Sequence, residues 1–333
     1  MNGTTTQSHA RPLLAVNDLS IDYVNQDGAP AQAVRNVSFA LRGRSARAGG
    51  RKRLRQVHVD AAHAPAAQRG PHRGRRGALS GARIRWRSTR AEMADVRWKN
   101  ISMIFQGAMN ALNPVRTHDQ IAEALRLHAT ATFNDRGAID RRVGELLDLV
   151  GIAANRKAQY PHQYSGGMRQ RAMIAMALAC SPQIVIADEP TTALDVMIQA
   201  QILQLLADLQ RELGLAVIFV THDLGIVAEM CDAVLVMYGG VTAEYADVDT
   251  IYNNPRHPYT QELLKAFPDL TKPGGRLTSI PGYPPRLDAL PPGCRFAPRC
   301  PHAFARCMTA QPPIYELSPA HEASCFLLEE AAP

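Results

Sequence analysis

An α/β fold, built on a parallel sheet covered by helices, is predicted by three features of this 333-residue chain. "PQIVIAD" (182–188) and "LAVIFVTHD" (215–223) are continuous apolar runs that end in polar residues, the pattern of strands buried on both faces. Segments of helical spacing alternate with them: "QIAEALRLH", "AIDRRVGELLDLVGI" and "MIQAQILQLLADLQREL". Ahead of these, "PLLAVNDLSIDYVNQDGAPAQAVRNVSFAL" (12–41) alternates like antiparallel strands, with "NQDGAP" as a hairpin turn.

In chain order, residues 43–90 carry no pattern that assigns an element. Order returns with "KNISMIFQ", a short β-rich run, followed by helices over 117–153. "SGGMRQRAMIAMALAC" (165–180) opens on glycines and continues as a helix. "AVLVMYGGVTAEY" is a strand, a Gly-Gly turn and a second strand. Beyond about residue 252 the chain becomes rich in Pro, Gly and Cys and is expected to form a separate module. No internal repeat marks a solenoid.

Hydrophobic residues make up 46 % of the chain, enough for a sizeable core. No apolar run reaches the roughly 18 residues of a membrane span, so none is expected. The start, "MNGTTTQSHARPLL", lacks a charged region followed by an apolar one, which predicts a cytoplasmic location. The net charge of +7 invites a polyanionic partner, but its distribution argues against one. Residues 42–90 hold 15 Lys and Arg against the single acid Asp60, whereas the rest of the chain holds 22 bases against 29 acids. One window carries the whole basic excess, and no nucleic-acid partner is expected.

The chemistry concentrates in a few short stretches. In "IVIADEPTTALD", Asp188 closes an apolar strand and Glu189 follows it. A carboxylate at the carboxyl end of a buried parallel strand sits at the ligand crevice of the sheet, where it can hold Mg²⁺. The next carboxylate is placed to orient or deprotonate a water. "YSGGMRQR" (164–171) opens a helix on Ser165, Gly166 and Gly167, so bare N–H groups and a positive dipole end form an anion site. Gln106 in "MIFQ" and His222 in "VIFVTHD" each end a strand, and Tyr23 in the first hairpin can stack on a purine ring. Taken singly, each would be a surface Gln, a capping His or a core Tyr; their order and spacing carry the signal.

As a set, these stretches resemble the nucleotide-binding subunits of ATP-binding-cassette transporters. "SGGMRQ" resembles the family signature, "IVIADEP" the Walker B strand, "TALD" the D-loop, "FVTHD" the switch histidine and "MIFQ" the Q-loop. The resemblance implies a P-loop NTPase (RecA-like) fold with an antiparallel β subdomain, a helical subdomain over 107–164 and a small Cys-rich C-terminal extension. The ATPase domain is expected over 12–252 and the extension over 253–333. The implied cofactors are ATP and Mg²⁺. Asp188 would serve Mg²⁺, Glu189 would polarise water, His222 would sense the γ-phosphate and Gln106 would link nucleotide to the membrane partner. Ser165, Gly166, Gly167, Gln170, Asp195 and Tyr23 would complete the nucleotide sites, with Ser165 and Gly167 reaching the γ-phosphate held by an opposite subunit.

"NNPRHPYTQELLKAFP" and "PGYPPRLDALPPGCRFAPRCPHAFARC" resemble the C-terminal extension of dipeptide, oligopeptide and nickel importer ATPases. "QGAMNALNPV" and "YPHQYSGG" point the same way. The implied partners are two transmembrane permease subunits, a second ATPase subunit (self or paralogue) and, indirectly, an extracytoplasmic solute-binding protein. The implied place is the cytoplasmic face of the membrane. A soluble cassette ATPase outside transport, or an inactive gene product, are the alternatives.

The cysteines allow a separate reading. Cys180 and Cys231 lie in apolar contexts as buried thiols, while Cys294, Cys300, Cys307 and Cys325 form C-x5-C-x6-C-x17-C. In the cytosol four clustered cysteines suggest Zn²⁺ or an iron–sulfur cluster, or else unligated thiols in a small core. The family resemblance favours [4Fe–4S] over Zn.

The phosphate loop G-x-x-x-x-G-K-[ST] of such ATPases occurs nowhere in this chain. Its place is taken by "GRKRLRQVH" (50–58). That string can be encoded so that, read one base later, it gives G-E-S-G-C-G-K-S-T. Third bases are free among synonyms, but the second base of each of these codons is fixed, and each becomes the first base of a hidden codon. All nine agree. Upstream, "GRSARAG" can hide G-E-V-L-G-L-V in the same frame, and "IRW" (84–86) can hide F-D-G. Residues about 43–90 are therefore expected to be translated out of frame, with the Walker A loop and its flanking strand and helix lost.

Overall fold

The computed structural model describes residues 12–24, 30–42, 56–59, 76–79, 90–107, 111–266 and 279–330. The hairpin turn expected at "NQDGAP" falls largely outside these residues. Its two arms are β1 (Pro12–Val24) and β2 (Pro30–Arg42), paired antiparallel with Leu14 opposite Leu41, Ile21 opposite Val34 and Tyr23 opposite Ala31. Two more short strands follow, β3 (Gln56–Val59) and β4 (Arg76–Leu79). β4 pairs with the free edge of β1, giving a three-stranded sheet in the order β2-β1-β4.

The remaining elements build the main layer. They are α1 (Arg90–Val96), β5 (Ile101–Ile104), α2 (Thr117–His128), α3 (Arg136–Leu149), α4 (Gly166–Ala177), β6 (Ile184–Asp188), α5 (Val196–Leu213), β7 (Ala216–Val220), α6 (Leu224–Met230), β8 (Ala233–Tyr238) and β9 (Val241–Asp247). After them come α7 (Val248–Asn253), α8 (Pro258–Lys265), α9 (Ala305–Thr309), β10 (Tyr315–Ser318) and β11 (His321–Ala323). The second sheet has eight strands in the order β10-β11-β9-β8-β3-β7-β6-β5. β5, β6, β7, β3 and β8 run parallel, and β9, β11 and β10 close the far edge antiparallel.

The apolar runs sit where their composition demands. Ile184, Val185, Val217, Phe219, Val234 and Leu235 are all buried, as befits strands covered on both faces. α5 starts on Asp195, whose carboxylate accepts the Ile198 N–H, and ends on Gly214 in the left-handed conformation at φ 67°. Its Ile202, Leu206 and Leu209 face inward at helical spacing.

Two expectations change. The window 43–90, which carried no assignable pattern and was expected to lack the central strand, supplies β3 to the middle of the large sheet. Val57 pairs with Ile218 of β7 and Ala233 of β8. An empty slot there would strand the backbone N–H and C=O groups of two buried strands, and the Val-rich tetrapeptide is the nearest β-prone stretch. The Cys-rich tail, expected to stand apart, adds β10 and β11 to the same sheet, with Ala323 opposite Glu244 of β9.

Candidate active site at the carboxyl ends of the strands

β5, β6 and β7 are neighbours, so the residues that leave their carboxyl ends converge. Asp188 is the last residue of β6. Glu189 follows with φ 42°, in the left-handed region that a non-glycine residue occupies at a cost. Its N–H donates to Val220 O of β7 at 2.7 Å, which ties the turn to the neighbouring strand.

The Glu189 carboxylate collects three side chains. Gln106 Nε2, two residues past β5, donates to Oε2 at 2.5 Å. Thr192 Oγ1 donates to the same oxygen at 2.8 Å. His222 Nδ1, two residues past β7, lies 3.0 Å from Oε1. The Glu189 side chain is 19 % exposed, so these contacts form in a partly desolvated pocket open to solvent on the His222 side. Burial first, and the neighbouring Glu189 charge second, push the Asp188 carboxyl above its ordinary range. A divalent cation beside this pair would relieve both effects.

The structure thus brings Gln106, Asp188, Glu189 and His222 together, as the motif order implies. Thr192 was missed. The only signal was a hydroxyl three residues after the glutamate, in a turn where the Thr192 N–H donates to Glu189 O.

The signature residues form a second cluster. Ser165 caps α4, its hydroxyl accepting the Met168 N–H at 3.3 Å. A Cβ on Gly167 would stand 2.8 Å from Ile198 Cγ2 of α5, so only glycine lets the two helices approach this closely. Gln170 is 4 % exposed, and its Nε2 has no hydrogen-bond partner, so it lies inside the helix packing rather than at the exposed amino end of α4. Asp195 serves as the α5 cap, and Tyr23 is half-buried in the separate three-stranded sheet.

The residues past β6 and β7 therefore suit the metal-and-water half of an ATP site. The phosphate half needs a glycine-rich loop after the central strand. β3 occupies the place of that central strand between β7 and β8, but residues 60–75 beyond it lie outside the described residues, and the sequence there holds no such loop.

The four cysteines of the tail gather at one place. Cys294, Cys300, Cys307 and Cys325 line one cavity with His257 and Phe296, and all are free thiols. Among the described residues, no group of three or more His, Cys, Asp or Glu is arranged to hold a metal ion. Burial raises the thiols of Cys294, Cys300 and Cys325, the last to about 11. Cys231 is buried, as expected, whereas Cys180 is only half-buried.

Residues 75–192 match the family model described as ABC transporter, and residues 243–307 match that for the oligopeptide/dipeptide transporter C-terminal region. The chain is 43 % identical over 332 residues to the oligopeptide transport ATP-binding protein OppD of Salmonella typhimurium, covering 98 % of this chain and 97 % of that one. It is 49 % identical over 244 residues to the dipeptide transport ATP-binding protein DppD of Bacillus subtilis, covering 72 % of each. Among solved structures it superposes on cbiO1 from Clostridium perfringens with a TM-score of 0.56 at 24 % identity, over 73 % of this chain and 91 % of that one. The ADP- and phosphate-bound cassette MJ0796 gives 0.55 at 20 % identity, over 71 % and 98 %. Fold, motif order and relatives agree: the chain belongs to the ATP-binding subunits of ABC transporters, in the oligopeptide/dipeptide branch.

Proposed function

We propose that this chain is the ATPase subunit powering import of di- or oligopeptides through a membrane permease, and that residues about 43–90 are read out of frame, removing its phosphate loop. The observation that carries the ATPase reading is the convergence of Gln106, Thr192 and His222 on Glu189 at the end of β6. Asp188 would hold Mg²⁺, whose charge neutralises that gathering on the phosphates. Glu189 orients the attacking water and takes its proton, His222 holds the carboxylate from one side, and Gln106 holds it from the other. Any shift of the segment after β5 therefore reaches the carboxylate directly through Gln106.

The frame reading rests on the nine matched bases over 50–58 and on the confinement of the basic excess to one window. The ABC transporter match also begins only at residue 75, which leaves the loop region outside it. Arg51, Lys52, Arg53 and Arg55 supply charge but not the backbone cradle that grips phosphates. The domain division 12–252 and 253–333 follows from the same resemblance. So do two permease subunits, a second ATPase subunit and a peripheral position at the membrane. Among the described residues no helix is long and apolar enough to cross a membrane. A [4Fe–4S] cluster in the tail, with Zn²⁺ as alternative, follows from the family resemblance; the four cysteines line one cavity but are not arranged around a metal ion in this structure, and iron and zinc analysis of the purified chain checks it.

One experiment separates the two halves of the proposal. Purified chain as written, and a repaired chain with 43–90 in the hidden frame, are heated with and without ATP and Mg²⁺. The repaired chain gains several degrees in Tm and hydrolyses ATP, while the written chain gains nothing. A nucleotide-dependent rise in the written chain overturns the lost loop. No rise in the repaired chain overturns the ATPase reading.

A further inference from the structure

We propose that the C-terminal extension holds the β1–β2 strand pair in place through Arg295, which makes Arg295 a positioning residue for Tyr23. This rests on the reading of Tyr23 as the residue that stacks on the nucleotide base.

Arg295 is 7 % exposed, and its guanidinium is wedged between two other parts of the chain. Nη1 donates to Gly239 O in the turn between β8 and β9. Nη2 donates to Gln32 Oε1 of β2 at 3.2 Å. The turn is shaped for this contact. Gly239 and Gly240 have φ of 56° and 85°, and a Cβ on Gly239 would press to 3.1 Å from Arg295 Cδ. A Cβ on Gly240 would collide with the backbone oxygen of Ala33, so β2 also lies directly against the turn. Backbone bonds tie β2 to the same turn and to the extension. Arg35 N–H donates to Gly240 O at 2.8 Å, and Gln32 N–H donates to Leu287 O of the extension at 3.0 Å.

The linkage continues to β1. Gln32 Oε1 also accepts from Arg35 Nε at 3.2 Å, and Arg35 Nη2 pairs with Asp22 Oδ1 at 2.7 Å. Asp22 is the cross-strand partner of Gln32 and the residue before Tyr23. A second arginine anchors the extension itself. Arg299 donates to Ile280 O at 3.0 Å, to Pro281 O at 2.7 Å and to the Tyr238 hydroxyl of β8 at 3.1 Å.

Chemistry singles out Arg295. Burial, and then the nearby Arg35, lower its pKa to about 10, so this position works against the charge it holds. An apolar plug would fill the turn at less cost. What an apolar plug cannot do is donate to two acceptors that belong to different sheets, which the planar fork of arginine does.

Hydrogen exchange on the full chain, with no nucleotide present, tests the linkage. Arg295→Met speeds exchange of the β2 amides around Gln32 and Arg35 and of the β1 amides around Tyr23 by about tenfold or more, with α2 and α3 unchanged. Gln32→Ala does the same in the strands, and the double variant is no faster than either single one, because both break one linkage. Arg295→Lys keeps a donor for Gly239 but not the fork, so it loosens the strands and leaves the turn protected. A fluorinated tyrosine at position 23 shifts its ¹⁹F resonance in Arg295→Met and keeps it in a control variant at exposed Met308. Unchanged strand exchange in Arg295→Met, acceleration spread evenly over the whole chain, or an unmoved ¹⁹F signal each overturns the proposal. None of these readouts needs ATP, so a failure of nucleotide binding would tell against the ATPase reading and not against this linkage.

Discussion

Replacing His257 with asparagine should remove a large part of the acid sensitivity of the link between cassette and extension. His257 is 4 % exposed and caps α8, its Nδ1 accepting the Tyr259 N–H at 3.0 Å. Burial lowers its pKa from 6.5 to about 4, partly offset by a hydrogen bond with the Ser324 backbone. The folded state therefore keeps the ring neutral, while the unfolded chain takes up a proton near pH 6.5. Between those two values the unfolded state binds more protons, so stability rises with pH and is lost as the pH falls from about 6.5 towards 4. For those two pKa values the linkage relation gives a loss of about 2 kcal/mol on going from pH ~7.5 to pH ~5. Asparagine offers an oxygen for the cap and an amide donor towards Ser324, and it does not titrate. The other ionisable groups around the site, among them Glu244 and His321, paired at 2.8 Å, and His302, remain in both proteins and cancel in the comparison. Urea unfolding of the full chain at both pH values, for wild type and His257→Asn, provides the measurement. The variant should show about 2 kcal/mol less pH dependence than wild type. Equal pH dependence in the two proteins would refute the assignment of a buried, neutral His257.

Further substitutions probe the site. Gly167→Ala places a methyl 2.8 Å from Ile198 Cγ2 and should cost about 1–3 kcal/mol, read as a lower Tm. Ile198→Val in the same chain should recover much of the loss, because it trims the side chain that collides. Asp188→Asn should raise the Tm of the nucleotide-free chain at neutral pH, since burial and Glu189 both oppose the Asp188 charge. The folded pKa lies above the unfolded one, so the destabilisation by Asp188 is absent below the carboxylate range and grows as the pH rises through the folded value. The gain from asparagine should accordingly disappear below about pH 4. A gain that persists there would mean that packing, not charge, is responsible.

What the sequence made legible depended on how local the signal was. β6 and β7 are short continuous apolar runs, and their carboxyl ends name Asp188, Glu189 and His222 without any tertiary information. α5 announces itself through its Asp cap, its spacing and its terminal Gly. The contacts of Glu189 were legible only as a set of motifs, since Gln106 is 83 residues away and His222 33. Thr192 carried no distinguishing mark. The buried Glu244 was invisible for the opposite reason. It sits in an ordinary strand, and its partners are the backbone N–H groups of Arg256 and His257 and the imidazole of His321, 77 residues on. No pattern in "VTAEY" separates that carboxylate, which is 0 % exposed, from one on the solvent face.

The window 43–90 shows how differently a sheet and a phosphate site constrain a sequence. The slot between β7 and β8 makes a demand on backbone alone. A short extended β-prone segment without proline can satisfy it, and Gln56–Val59 does. Under the proposed frame the intended strand lies upstream, beneath "GRSARAG", while Gln56, Val57 and His58 overlie the codons for the Lys-Ser-Thr that should open the following helix. On that reading the sheet is closed by residues drawn from another point in the chain. Ladder pairing does not register this, because every residue but proline offers the same N–H and C=O. Phosphate binding does register it. It depends on which residues follow the strand and on glycines at fixed offsets from a lysine, and the sequence after β3 offers neither in that spacing. A sheet completed in this way can preserve the arrangement of Asp188, Glu189 and His222 at its edge, while the other half of the site is absent from the sequence.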